Sequence, residues 1–337
     1  MIFDSPVYNS SEFFITVIVI GSSVAVYYKR LTGVTPGGIV PIGASLILLI
    51  RNPLWAVFCF ALSFIGFTAY LLVVTRLDKR GGFPHVYSIS VITLLFGLGA
   101  AYGLQLLGLL DVQGMTVGGL VVPAILANQY RLYGIKRVVS GYLTCILASL
   151  LLVVCLVYIA NSFGASEGLF AHFQTQHISK ETRYLEFYPL AAIVSLVFGF
   201  FVYRNFGLRS GGYIMAPLAA QLITSLNSCL ILASGVFVLY FMQLFLTRFT
   251  FIIGLQRYLA NIVLSSVYVW LSILFVQRVL SSQDSNSFGS AWIMVLVIAS
   301  YSTDLYVYRS KKSYLYIALN TAIAFVLIKL LRLAVAV

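Results

Sequence analysis

The sequence predicts an all-α polytopic membrane protein, and three observations predict it. The 337-residue chain is 61% hydrophobic and only 9% charged, with a mean hydropathy of +1.00, which leaves far too little polar surface to coat a soluble globule. Apolar runs near the roughly 20 residues that cross a bilayer recur along the whole length. Between some of them stand shorter apolar elements that open on paired glycines and carry a proline a few residues later.

The first run follows MIFDSPVYNSSEFF, with Asp4 and Glu12 before its apolar stretch and Lys29 and Arg30 after it. A cleavable signal is charged the other way round, so this run is predicted to stay as the first span with its N-terminus outside. Long segments follow it at 54–75, 86–107, 138–160, 188–203, 228–247, 258–277, 291–308 and 314–331, the first itself covering 12–28. The short elements are TPGGIVPIGASLILLI at 35–50, MTVGGLVVPAILANQY at 115–130 and LRSGGYIMAPLAAQLI at 208–223.

Aligned on Gly37-Gly38, Gly118-Gly119 and Gly211-Gly212, the short elements share a diglycine, a few apolar residues, and then Pro41, Pro123 or Pro217. Self-similarity at such a spacing marks repeat architecture. The order in each unit is long helix, short Gly-Gly/Pro broken helix, long helix. The chain divides on this basis into a first membrane repeat at 1–85, a second at 86–160, an external loop at 161–187, a third repeat at 188–257, and a degenerate fourth unit of three helices at 258–337.

Whether the short elements cross decides the topology. If all cross, there are twelve spans, and only Arg51, Lys180, Arg183, Arg278, Lys329 and Arg332 of the 21 basic residues fall outside. If they dip in and return, nine spans with three re-entrant elements result and the basic residues split almost evenly. The positive-inside rule prefers twelve. Three spans per unit is an odd number, so successive units are expected to be inverted repeats.

Several chemistries are unsupported. The net charge of +12 is dispersed in small groups between apolar runs, which marks topology and no nucleic-acid partner. Cys59, Cys145, Cys155 and Cys229 lie in apolar segments without ligand spacing. His172, His177 and Glu181 in the external loop miss a shared helical face and read as solvated, so no metal is expected. Neither a Walker phosphate loop nor a placeable Ser-His-Asp set is present, and no cofactor is predicted. Asp304 and Asp111 are the notable acids of the apolar part, and both fall near predicted span ends.

The strings TPGGIVPIGASL and VGGLVVPAILAN resemble the signature of the PgsC/CapC family, the small polytopic membrane subunit of bacterial poly-γ-glutamate synthesis. Pro36, Gly37, Gly38 and Pro41 carry the match in the first unit; Gly118, Gly119 and Pro123 carry it in the second, followed by RLYGIKRVVSGYL at 131–143. The resemblance is best over 12–160 and weaker at 188–278, where Gly211, Gly212 and Pro217 repeat the idea. It implies a non-catalytic subunit in a bacterial plasma membrane. Its partners would be lipid, a cytoplasmic ATP-dependent amide ligase, other membrane subunits of the same complex and an anionic capsule polymer that is exported.

Two roles for the broken helices stay open. A diglycine frees backbone N–H groups at the start of the next helix, where the dipole favours anions, so a polyanion conduit is one reading. Close helix packing and kinking is the other. Arg76, Lys79, Arg80, Arg131, Lys136, Arg137, Arg248 and Arg257 are expected as topology anchors or as contacts for the polymer or the ligase. The alternatives to a polymer-system subunit are a secondary transporter with a broken-helix substrate site and a membrane scaffold for an enzyme.

Overall fold

The computed structural model describes residues 11–77, 85–106, 117–162, 188–208, 210, 214–223, 226–249, 254–279 and 291–336. The described residues form twelve helices and no strand. These are α1 (Ser11–Thr32), α2 (Ile39–Arg51), α3 (Pro53–Leu77), α4 (His85–Leu106), α5 (Val117–Tyr133) and α6 (Ile135–Ser162), then α7 (Tyr188–Phe206), α8 (Met215–Leu222), α9 (Leu226–Phe249), α10 (Leu255–Val279), α11 (Ala291–Tyr308) and α12 (Lys311–Ala336). All nine long segments and all three short ones expected from sequence are helices. Seven of them, α1, α3, α6, α9, α10, α11 and α12, are long and apolar enough to cross a membrane, and the chain is a multi-pass membrane protein.

The chain falls into two compact units, an N-proximal one of Val17–Ala165 and a C-proximal one of Met1–Thr16 with Ser166–Val337. In the N-proximal unit, pairs of touching residues fix each helix's direction. Gly43 of α2 meets Ile18 and Gly21 of α1, while Tyr28, farther along α1, meets Gly141 near the start of α6. Ser45 of α2 and Phe60 of α3 both meet Tyr142, although Asn52 lies between them. That makes α2 and α3 an antiparallel hairpin.

Asn52 serves both helices of this hairpin. Its N–H donates to the Leu48 carbonyl at the end of α2, and its Oδ1 accepts from the Trp55 N–H at the start of α3. Pro53 follows as the first helical residue, where a missing N–H costs nothing. Farther on, Tyr70 of α3 meets His85 of α4 at 2.7 Å, Tyr130 of α5 meets Ser63 of α3 at 2.9 Å, and α6 leaves α5 through Gly134. All six helices therefore alternate in direction, and α2 joins one end of the unit to the other.

The C-proximal unit packs the same way. The pairs α9·α11, α9·α10, α10·α11, α8·α11, α8·α9, α8·α12 and α11·α12 repeat α3·α5, α3·α4, α4·α5, α2·α5, α2·α3, α2·α6 and α5·α6. Within the C-proximal unit, exchanging α7–α9 with α10–α12 turns the set of packed pairs into itself: α7·α8 becomes α10·α11, α7·α12 becomes α9·α10, α8·α12 becomes α9·α11, and α8·α9 becomes α11·α12. The helices α5 and α11, termed the hubs, each touch the four helices around them, and α8 likewise packs on α7, α9, α11 and α12.

Exposed apolar side chains cover the outer helices, as a hydrocarbon solvent requires; Leu147, Leu151, Phe241 and Phe245 are examples. Small residues set the inner contacts. A methyl group placed on Gly43 would lie 2.7 Å from the Ile18 Cα, a backbone atom that cannot swing aside, whereas Gly99 in α4 has nothing within 4 Å. Gly43→Ala is expected to lower the thermal unfolding midpoint of the detergent-solubilised protein, by a cost of about 1–3 kcal/mol for forced overpacking. Gly99→Ala is expected to leave it unchanged or raise it, since alanine favours helix by about 1 kcal/mol.

Candidate functional site

Each unit holds its short helix against the hub and the last helix, and in the N-proximal unit the diglycine is what lets it approach. Gly37 (φ 74°) and Gly38 (φ 99°) both adopt left-handed backbone, which L side chains resist. They are crowded as well: a Cβ on Gly37 would sit 2.7 Å from Leu126 of α5 and 3.1 Å from Tyr142 of α6, and one on Gly38 would sit 3.1 Å from Ile125. Pro36 and Pro41 are buried here. The first diglycine is thus packed closely against α5 and α6.

The prolines are not the breakers that the sequence suggests. Pro41 and Pro217 are each the third residue of their helix, α2 and α8, where the backbone N–H has no intrahelical partner to lose. Only Pro123 lies in a helix interior. Its ring faces the carbonyl four residues back, that of Gly119, and removes one ladder bond there. Gly118 and Gly119 lie in the first turn of α5. Gly211 and Gly212 lie outside the described residues.

A polar scaffold ties these elements together. In the N-proximal unit the Tyr142 hydroxyl donates to Ser45 Oγ of α2 at 2.5 Å, and Thr35, just before the diglycine, lies 3.4 Å from the Tyr133 hydroxyl at the end of α5. Tyr130 is stacked on Phe64 and edge-on to Phe67. In the C-proximal unit, Asn320 of α12 donates through Nδ2 to both the carbonyl and the Oγ of Ser210 at 3.0 Å. Its Oδ1 accepts from Ser195 Oγ of α7 at 2.9 Å. Asn320, Ser210 and Ser195 are all buried. A side chain of the last helix thus anchors α2 itself in one unit and the stretch that leads into α8 in the other.

The basic residues gather at helix ends. Arg131, Lys136 and Arg137 are exposed around Gly134, whose φ of 83° turns α5 into α6. The matching joint in the C-proximal unit is Arg309, with φ 45°, between α11 and α12. Tyr133 and Tyr308 precede the two joints. Arg76 lies in the last turn of α3, while Lys79, Arg80, Asp111 and the 163–187 part of the external loop, with His172, His177 and Glu181, lie outside the described residues. Arg248 is exposed at the end of α9 and Arg257 is half-buried near the start of α10.

Arg257 does more than mark topology. Its guanidinium lies 4.4 Å from the Tyr306 ring centroid, and that of Arg309 lies 4.8 Å from the same ring, each a cation–π contact. Arg309 also donates to the Tyr306 hydroxyl at 2.8 Å. The ends of α9 and α11 and the start of α10 therefore meet at one basic mouth. Asp304, near the end of its predicted span, is half-buried and lies close to Tyr258 and Tyr301.

Sequence reasoning missed the interior amides. Asn320, Asn261 and Gln243 are each at most 2% exposed, yet they stand in IALNTAIA, LANIVL and LYFMQLFL. The available signal was a lone carboxamide within an apolar run, since polar groups in a membrane interior are retained for a reason. Among the described residues no group of His, Cys, Asp or Glu is arranged to hold a metal ion.

Residues 194–312 match the family model described as Capsule biosynthesis CapC. That segment is similar to the CapC family. It begins within α7, runs through α8, α9, α10 and α11, and ends at the second residue of α12, so it lies wholly inside the C-proximal unit. The sequence motifs place the resemblance best at 12–160 and more weakly at 188–278; the CapC match covers most of that weaker region and continues to 312, past the last legible motif. No curated protein and no solved structure matches the chain.

Two substitutions test this scaffold. Asn320→Leu strands the Ser195 and Ser210 hydroxyls in a buried site and is expected to cost about 2–4 kcal/mol, read as a lower unfolding midpoint. Gly37→Ala combines left-handed strain with the 2.7 Å approach to Leu126 and is expected to cost at least as much as Gly43→Ala.

Proposed function

We propose that this chain is a non-catalytic membrane subunit of a bacterial apparatus that makes and exports an anionic polymer of the poly-γ-glutamate type. The amide-forming chemistry belongs to a cytoplasmic ATP-dependent ligase docked on its basic face. The CapC match over 194–312 is the observation that carries this reading. The architecture supports it: a chain built almost wholly of packed apolar helices offers a membrane route and an anchor.

All twelve helices cross the plasma membrane in this proposal, with the N-terminus outside, and each six-helix unit is a pair of inverted three-helix repeats. Three features support that arrangement. Helix directions alternate through the N-proximal unit, the short α2 connects opposite ends of it, and the packed pairs of the C-proximal unit map onto themselves when its halves are exchanged. At 13 residues α2 reaches about 20 Å, less than the roughly 30 Å hydrocarbon core. Burial against α5 and α6 is what lets it cross.

The inverted arrangement also favours a second reading, a secondary transporter with its site at the repeat interface. Purification from native membranes separates the two. The expected result is co-isolation of an ATP-dependent amide ligase, and reversing the charges of Arg131, Lys136 and Arg137 is expected to release that ligase. A purified chain that alone moves a small solute into liposomes, with no ligase bound, would favour the transporter. The topology has its own check. Single cysteines at Lys136, Arg248 and Lys312 are expected to label from the cytoplasmic side and one at Asn52 from the other; Asn52 labelling with the first three would establish a re-entrant α2.

A further inference from the structure

The junction of α9, α10 and α11 contains hydrogen-bonding atoms that find no partner among the described residues. Gln243 of α9 is 2% exposed, and Asn261 of α10 is 1% exposed. Asn261 donates through Nδ2 to Thr303 Oγ1 of α11 at 2.7 Å. Neither Nε2 nor Oε1 of Gln243, nor Oδ1 of Asn261, has a partner among the described residues. Buried polar atoms are nearly always satisfied, and an unpaired one is destabilising.

These side chains share one level of the bundle. On α9, Gly235 packs on Ile298 of α11, and Thr247 reaches Tyr306 of α11, so α9 and α11 run parallel. Gln243 lies between those two contacts, as does Thr303 on α11, which holds Asn261. One turn beyond stands the basic mouth, where Arg309 and Arg257 lie on Tyr306, with Arg248 and Lys312 exposed nearby in sequence. On the opposite side, Gly235 closes the level against Ile298 and Tyr268, where a Cβ would find only 2.7 Å of space.

We propose that Gln243, Asn261 and Thr303 form a binding site for one amide-linked acidic unit of the polymer, entered from the basic mouth. The open atoms of Gln243 are a donor pair and an acceptor in one plane. A secondary amide presents the complementary acceptor and donor, and the second open acceptor, on Asn261, takes a further N–H. The guanidinium of Arg309 at the mouth suits the carboxylate that such a unit also carries. A carbohydrate polyanion offers the carboxylate without the amide, so this site discriminates by the linkage and not by charge. The inference rests on the proposed function, whose polymer it specifies.

The test uses the purified full-length chain with two probes of equal carboxylate number, a γ-linked glutamate oligomer and a uronic-acid oligomer. Wild type is expected to bind the glutamate oligomer at least about tenfold more tightly, a difference of the size that unpaired buried polar groups produce. Gln243→Met, close in volume and able only to pack, is expected to abolish that preference while the unliganded unfolding midpoint holds or rises, because an unsatisfied amide has been replaced by an apolar group. Thr303→Val probes the same site from α11 and is expected to weaken the preference severalfold.

Equal binding of both oligomers by wild type would overturn the inference, as would a Gln243→Met protein that keeps the preference and unfolds earlier. Ligase co-isolation with no amide preference would sink this site and leave the proposed function standing. An amide preference without ligase co-isolation would do the reverse.

Discussion

The approach of the short helices to their hubs is the constraint on which the remaining architecture depends. A helix of 13 residues, or of 8 in α8, cannot satisfy its ends in hydrocarbon, where every exposed N–H and C=O costs several kcal/mol. It persists only when protein covers it. Covering α2 requires Gly37 and Gly38 to turn through left-handed backbone while Leu126, Tyr142 and Ile125 press on them, and requires Gly21 and Gly43 to let α1 touch α2. The hub position of α5 follows, because it must lie beside α2 and still pack on α3, α4 and α6.

Helix existence was legible in the sequence because a bilayer makes apolar length a direct signal: all nine long segments became helices within a few residues of the expected bounds. The short elements were legible for another reason, the repeated diglycine. Their prolines misled. Pro41 and Pro217 look like breakers in a string but occupy first turns, where proline is tolerated. The grouping into two six-helix units was hidden because no diglycine marks the start of α11. That helix begins Ala291-Trp292-Ile293, and the hub role falls to a segment that its sequence marks only as another apolar run.

The candidate site divides along the same line. Backbone-driven features, the glycines, declare themselves by residue type. Side-chain networks do not, because Asn320 meets Ser195 and Ser210 across separations of more than a hundred residues, and nothing in the local sequence announces the partner. The two networks also differ in kind. Asn320 uses its donor and its acceptor and so rigidifies the C-proximal unit. Gln243 uses neither among the described residues, and a folded protein that tolerates such a group gives up stability for which packing alone offers no return.

Comparison of the hubs sharpens the point. Counting back four residues from the tyrosines that end them, Tyr133 and Tyr308, reaches Gln129 in α5 and Asp304 in α11, with Asn128 and Thr303 just before. The N-proximal pair also leaves buried acceptors, Asn128 Oδ1 and Gln129 Oε1, without partners among the described residues. The same register in both units therefore carries under-satisfied or ionisable groups, at the end where the basic residues gather. Buried hydroxyls unpaired among the described residues also stand elsewhere in the helices, on Ser22, Thr93 and Ser149.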